Sequence, residues 1–274
     1  MKLTYHTLSL FFALALFTAC QSSGEKKGMA QFSEDSSFQD VHEIPDSLGF
    51  QGKGEMVKFA TPDGKMGVAY TLMGATETQN YLFVIHEWWG LNDHIKQEAE
   101  RLHAALGNVH VMALDMYDGK STTDPEEAGK IMGELEEERA LAIINGALEV
   151  AGEEAKVATI GWCFGGGWSL RSSILAGDRG AGCVIYYGMP VEKADELAPL
   201  QADILGIFAT QDGWINEPVV SKFESLTKAT GKNLEVRWYE AEHAFANPSS
   251  PRYKEEAATE ANAVALAFLK EHLK

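Results

Sequence analysis

Gly161-Trp162-Cys163-Phe164-Gly165-Gly166-Gly167 follows the apolar run Val157-Ala158-Thr159-Ile160 and precedes a helix-compatible segment, residues 168–175. That order reads strand, sharp turn, helix. A turn tight enough to lift one side chain clear of a strand end forces that residue into strained backbone angles, and its neighbours must lack bulk for the chain to pass. Gly161 and Gly165 supply the room, so Cys163 is expected to stand exposed at the start of a helix. Free N–H groups and the positive end of the helix dipole can there stabilise a thiolate or an oxyanion. The plainer reading is a glycine-rich turn holding an inert buried cysteine. What separates the two is whether an acid and a base arrive at neighbouring strand ends.

Working outward, residues 56–59 and 67–73 flank Pro62-Asp63-Gly64, which reads as an antiparallel hairpin. Residues 81–85 form an unbroken apolar run, as in a strand buried on both faces of a parallel sheet, and deliver His86-Glu87-Trp88-Trp89-Gly90. A helix capped by Asn92 or Asp93 is expected to reach Leu106. A strand over 109–114 follows, then a helix opened by Asp124-Pro125-Glu126-Glu127 with periodicity to about Ala151. After the turn at Cys163 come strands over 182–187 and 204–209, the latter delivering Thr210-Gln211-Asp212-Gly213. A helix over 217–230, a strand over 234–239 delivering Glu242-His243-Ala244-Phe245, and an alanine-rich helix over 253–273 complete the chain. This alternation implies an α/β fold: a mostly parallel central sheet with helices on both faces. Ligands of such sheets gather beyond the carboxyl ends of the strands, where Glu87, Cys163, Asp212 and His243 all fall.

The 274 residues are 45% hydrophobic, enough to bury a full α/β core, and carry a formal net charge of -17. That charge disfavours nucleic acid and anionic membrane surfaces as partners, because binding phosphates requires clustered Lys and Arg. Residues 1–19 read as a signal peptide: a short charged start, an apolar core over 8–16 too short to span a bilayer, and small residues ahead of Cys20. Thr18-Ala19-Cys20 resembles a bacterial lipobox, which implies lipidation at Cys20, export, and anchoring to a cell-envelope membrane; an ordinary secretory signal is the alternative. Residues 20–51 read as a flexible tether, and 52–274 as the folded domain. Within the domain, Cys183 falls in a buried strand and Cys163 on the turn, so two free thiols are expected.

A thiol becomes a strong nucleophile when an imidazole takes its proton and a carboxylate fixes the imidazole's tautomer. Cys163, Asp212 and His243 fit those roles, in the chain order nucleophile, acid, base. On these residues, with His86-Glu87-Trp88-Trp89-Gly90-Leu91-Asn92, the chain resembles the dienelactone hydrolase family of α/β-hydrolases over roughly 52–274. The resemblance implies Cys163 as nucleophile, His243 as base, Asp212 as its partner and Glu87 as a carboxylate beside the thiol. It also implies the backbone N–H groups of Trp88 and Phe164 as an oxyanion hole. The implied activity is hydrolysis of a small-molecule ester or lactone through an acyl-enzyme at Cys163, with no cofactor. Family members bind a substrate carboxylate with arginines, whereas here Asn247 follows the histidine loop and Asp124-Pro125-Glu126-Glu127 opens the helix, so a neutral ester, lactone or thioester fits better. Arg252 is either a substitute for those arginines or a surface residue.

Two other classes are weighed against catalysis. A surface-tethered binding protein could keep the fold without turnover, and a redox-sensing thiol could occupy position 163. The nucleophile, acid and base argue against the first, and the lack of a C-x-x-C pair argues against the second. No metal is expected, because no His, Cys or acidic pair has zinc spacing and His42 falls in the tether.

Overall fold

The computed structural model describes residues 26–40, 42 and 49–274. The expected signal peptide and the lipidation site at Cys20 lie outside the described residues. Apolar β-branched and aromatic runs form eight strands: β1 (Glu55–Ala60), β2 (Met66–Leu72), β3 (Asn80–Ile85), β4 (His110–Leu114), β5 (Lys156–Trp162), β6 (Gly180–Tyr186), β7 (Asp203–Ala209) and β8 (Leu234–Tyr239). They join in the order β1-β2-β4-β3-β5-β6-β7-β8. The pairs β1–β2 and β2–β4 are antiparallel and all others parallel. The hairpin therefore forms one edge, as the Pro62-Asp63-Gly64 turn implies.

Eight helices complete the described residues: α1 (Ser36–Asp40), α2 (Asp93–Leu106), α3 (Pro125–Glu134), α4 (Glu137–Ala151), α5 (Phe164–Ala176), α6 (Ala194–Leu197), α7 (Glu217–Ala229) and α8 (Glu255–His272). Their starts follow from the sequence. Asn92 accepts from the Ile95 N–H at 3.2 Å, Asp124 from Glu127 at 2.8 Å and Asn216 from Val219 at 3.4 Å, each satisfying a donor the helix leaves open. Among the described residues no helix is long and apolar enough to cross a membrane.

Two expectations are corrected. The helix expected over 124–151 breaks at Leu135 and Glu136, both in extended backbone. Continuing it would leave Glu134, Glu136, Glu137 and Glu138 crowded on consecutive turns; restarting at Glu137 puts acidic residues at a positive helix end. The break also turns Arg139 inward, where it bonds Asp63 at 3.0 Å, Asp118 at 2.9 Å and the Met66 carbonyl at 2.7 Å.

The second correction concerns the tether. Residues from Gly28 to Phe32 form a 3-10 turn and Ser36–Asp40 a short helix, packed against α3 and α5, with Met29 and Phe38 buried. The Asp35 carboxylate nucleates α1 by accepting from the N–H groups of Ser37 at 2.9 Å and Phe38 at 3.3 Å. A capping aspartate and two apolar anchors were enough to dock a stretch whose overall composition reads as linker.

The sheet order reverses where β3 sits between β4 and β5. A crevice opens beyond the strand ends at such a switch point. Glu87 leaves β3 and Cys163 leaves β5, so topology alone sets these two side chains side by side. Asp212 and His243 follow from β7 and β8 on the same sheet end.

Candidate active site

Cys163 has φ 54° and ψ -116°, a conformation costly for any residue with a Cβ. Its neighbours make that turn possible. A Cβ on Gly161 would lie 2.1 Å from the Gly165 carbonyl oxygen, and one on Gly165 would lie 2.3 Å from the carbonyl oxygen of Ile85. The turn is closed by the Cys163 N–H donating to Tyr186 at 3.0 Å and the Cys163 carbonyl accepting from Gly166 at 3.0 Å. Among the described residues four non-glycine positions have positive φ, and three of them, Cys163, Tyr187 and Ala244, follow the strands around this crevice or flank His243. Strain of this kind persists only where surrounding packing enforces it.

His243 is fully enclosed and its Nδ1 pairs with Asp212 Oδ2 at 2.6 Å. The other Asp212 oxygen accepts from the N–H groups of Trp214 at 2.8 Å and Ile215 at 2.9 Å, so the carboxylate is held in place. Burial alone would depress the imidazole, but the Asp212 carboxylate and the Cys163 thiolate outweigh it and push His243 up to about 10. Burial raises the Cys163 thiol, His243 pulls it down, Glu87 adds to the rise, and the net direction is upward.

Glu87 is buried and accepts from Asn247 Nδ2 at 2.5 Å. Burial pushes its carboxyl up to about 7, against opposing pulls from His243 and Asn247. Its backbone is fixed by His86, whose Nδ1 donates to the Glu87 carbonyl at 2.6 Å while Nε2 accepts from the Met116 N–H at 3.1 Å. His86 is thus a satisfied core histidine. A cavity of about 530 Å³ borders Glu87 and Asn247 and extends to Asn92, Arg101 and Trp162. Arg101 is paired with Glu98 at 2.6 Å and Arg252 with Glu242 at 3.1 Å, so each arginine near the site already has a carboxylate.

The fold brings Cys163, Asp212, His243 and Glu87 together, but it does not leave Cys163 exposed as the turn alone suggested. Its relative exposure is 1%. Phe38 and His42 from the N-terminal segment cover the crevice: the Phe38 ring lies 5.2 Å from Trp88, 5.1 Å from Trp214 and 5.8 Å from His243. His42 lies 4.5 Å from Trp88 and 5.6 Å from His243, ring centre to ring centre. Burial, first, and the neighbouring His243 hold His42 down at about 3, so its ring is neutral. Sequence reading missed both residues; the Asp35 cap ahead of Phe38 was the available signal. A ring nitrogen of His42, a ring nitrogen of His243 and the Cys163 sulfur lie within 4.8 Å of one another. Spacing along the chain could not show that grouping, since the three residues come from separate elements. Cys183 is buried in β6 and, like Cys163, a free thiol.

A twisted, mostly parallel sheet with a strained cysteine after β5, a carboxylate after β7 and a histidine after β8 defines an α/β-hydrolase. The dienelactone hydrolase family model matches residues 69–273, and the chain belongs to that family, an enzyme of the ester- and lactone-hydrolysing class. It is 30% identical over 205 residues to protein usf of Aquifex pyrophilus, covering 70% of this chain and 88% of that one. It is 26% identical over 220 residues to carboxymethylenebutenolidase 1 of Cupriavidus pinatubonensis, covering 75% and 92%. Among solved structures, a dienelactone hydrolase-like promiscuous phosphotriesterase from metagenomic libraries superposes with TM-score 0.68 at 21% identity, covering 81% of this chain and 100% of the other. The family match begins after β1, so Phe38 and His42 belong to a segment outside it.

Proposed function

We propose that the protein hydrolyses small neutral esters, lactones or thioesters through a thioester acyl-enzyme on Cys163. The observation that carries this reading is the His243–Asp212 pair at 2.6 Å, with the free face of the imidazole turned to the Cys163 sulfur. In acylation the sulfur attacks the carbonyl carbon as a thiolate, its proton held on the His243 Nε2 that Asp212 keeps basic. The oxyanion accepts from the backbone N–H groups of Trp88 and Phe164, and collapse of the intermediate breaks the ester C–O bond. His243 returns the proton to the leaving alkoxide. A water, deprotonated by the same nitrogen, then attacks the thioester; the acid leaves and the thiol is regenerated.

Glu87 sets when the thiol is reactive. While its carboxyl is protonated it adds no charge beside the sulfur, and when ionised it opposes thiolate formation. Neutral substrates are favoured because the arginines near the site are already paired with carboxylates. The non-catalytic binding alternative has no observation in its favour. Export and lipid anchoring at Cys20 remain part of this proposal, supported by Thr18-Ala19-Cys20 after an apolar run; Cys20→Ala should abolish incorporation of labelled palmitate and release the protein from membranes.

The deciding experiment is steady-state hydrolysis of a short-chain nitrophenyl ester and of a dienelactone by wild type, Cys163→Ala and His243→Ala. Turnover in the wild type with losses of orders of magnitude in both variants supports the reading. Equal rates in all three would sink it.

A further inference from the structure

His42 is nine-tenths buried, and its Nδ1 is engaged with the Phe38 carbonyl at 2.6 Å. Its Nε2 has no hydrogen-bond partner, whereas the Nε2 of His243 is turned to the Cys163 sulfur. A buried imidazole nitrogen without a partner, as at His42, is an unsatisfied group that a native core rarely leaves unused. Both are oriented in the same manner: one ring nitrogen is tied to an acceptor, Asp212 for His243 and the Phe38 carbonyl for His42. The other nitrogen is a lone pair on neutral His42, and on His243 it becomes one once its proton is released. That is how histidines are prepared for a metal, because the outer acceptor fixes the tautomer and raises the basicity of the ligating nitrogen. The third member of the group is the Cys163 sulfur, a soft donor once deprotonated.

We propose that His42, Cys163 and His243 form a three-ligand site for a thiophilic divalent cation, Zn²⁺ fitting best, and that occupancy shuts the enzyme. Two imidazoles and a thiolate with one open position match the donor set and coordination number that zinc takes outside fully closed structural sites. The three donor atoms lie within 4.8 Å of one another. With zinc bonds of about 2.0 to 2.3 Å, ligand atoms of a tetrahedral site stand roughly 3.3 to 3.7 Å apart. Closing the site thus takes a contraction of about 1 Å at its widest, within reach of ring rotation and a small shift of the short N-terminal segment. On binding, the protons held by the Cys163 sulfur and by His243 Nε2 leave to solvent, an S–Zn bond forms and the two imidazoles contribute lone pairs; no electron is transferred.

The consequence for activity rests on the hydrolase reading, while the binding itself does not. Zinc would take both the nucleophile and the nitrogen that must accept its proton. It would also staple residue 42 to the crevice, locking the segment over the substrate path.

The test is Co²⁺ titration of the chelator-stripped full chain, read by absorption, followed by Zn²⁺ displacement. One Co²⁺ per chain is expected, with thiolate-to-cobalt charge-transfer absorption and the intense visible bands of tetrahedral cobalt. Cys163→Ser should lose the charge-transfer band, and His42→Ala should weaken binding at least about tenfold. Because His42→Ala can loosen the segment, a second measurement accompanies it: Zn²⁺ should protect Cys163 from iodoacetamide in wild type and require at least about tenfold more metal to do so in His42→Ala. Cobalt binding without ester turnover in wild type would uphold the site and remove only the hydrolase reading. Equal affinity in His42→Ala and wild type, an octahedral spectrum without charge transfer, or faster hydrolysis by His42→Ala in chelator with unchanged cobalt affinity would each overturn the proposal.

Discussion

The Asn247 amide donates to Glu87 Oε2 at 2.5 Å, and this neutral group is the side-chain donor that the buried carboxylate has. A guanidinium in that place would hold the carboxyl ionised; an amide does not offset the burial, and Glu87 rises from 4.5 to about 7.

A stability change with pH follows from that rise. Because the folded value lies above the unfolded one, the contribution is fully present below about 4.5 and is lost as pH rises through about 7. The size, about 3.5 kcal/mol at most, comes from about 1.4 kcal/mol per unit of pKa. Glu87→Gln mimics the protonated form and keeps an acceptor for Asn247. Urea unfolding at pH 5 and at pH 8 should show wild type losing on the order of 2 to 3 kcal/mol more than Glu87→Gln between the two. Parallel losses would mean that Glu87 is ionised throughout.

Asp212→Asn tests the orientation of the imidazole. The asparagine Oδ1 can still accept from Trp214 and Ile215, but its amide donor then faces His243 Nδ1. The imidazole must turn that nitrogen into an acceptor, which puts its proton on Nε2, where no thiol proton can be received. Nitrophenyl ester turnover should fall on the order of a hundred- to ten-thousand-fold in kcat, with KM little changed. A comparable rise in KM would point instead to a collapsed substrate site.

Much of this arrangement was legible in the sequence because periodicity and turn chemistry are local. Apolar runs marked β3, β5, β6 and β7, Asn92 and Asp124 marked helix starts, and the Gly161 and Gly165 spacing marked the strained turn. What depended on contacts between distant residues was not legible. Nothing local to Ser36-Ser37-Phe38 says that its phenyl ring will lie among Trp88, Trp214 and His243. The break at Leu135 was hidden for a similar reason, since the gain is made by Arg139 reaching Asp63 and Asp118 on other elements.

Phe38 controls access to the thiol. Its side chain is fully buried against the crevice, so Phe38→Ala removes the main apolar anchor of a short segment, a change that costs about 3 to 5 kcal/mol in well-packed cores. The segment should then open far more often while the sheet stays intact. Iodoacetamide labelling of Cys163 should speed up at least about tenfold, whereas Cys183, buried in β6, should stay unlabelled and serve as the internal reference. If both cysteines become reactive together, the substitution has unfolded the domain; if neither changes, the segment does not guard the site.

Gly165→Ala should damage the fold itself, and the comparison with a second glycine makes the reason checkable. A Cβ at Gly165 would meet the carbonyl oxygens of Ile85 and His86 at 2.3 and 2.4 Å, both backbone atoms of the strand end that presents Glu87. Neither can move without parting β3 from α5. Gly213, in the loop that carries Asp212, has nothing within 4 Å of the corresponding position and no positive φ. Alanine there should change stability by no more than about 0.5 kcal/mol. At Gly165 the loss should exceed about 3 kcal/mol, which for a domain of this size lowers the melting temperature by roughly 6 to 12 °C. Thermal unfolding of both variants beside wild type separates a steric requirement at the turn from a general preference for flexible loops: equal shifts would leave the tight packing of Gly165 under β3 without energetic consequence.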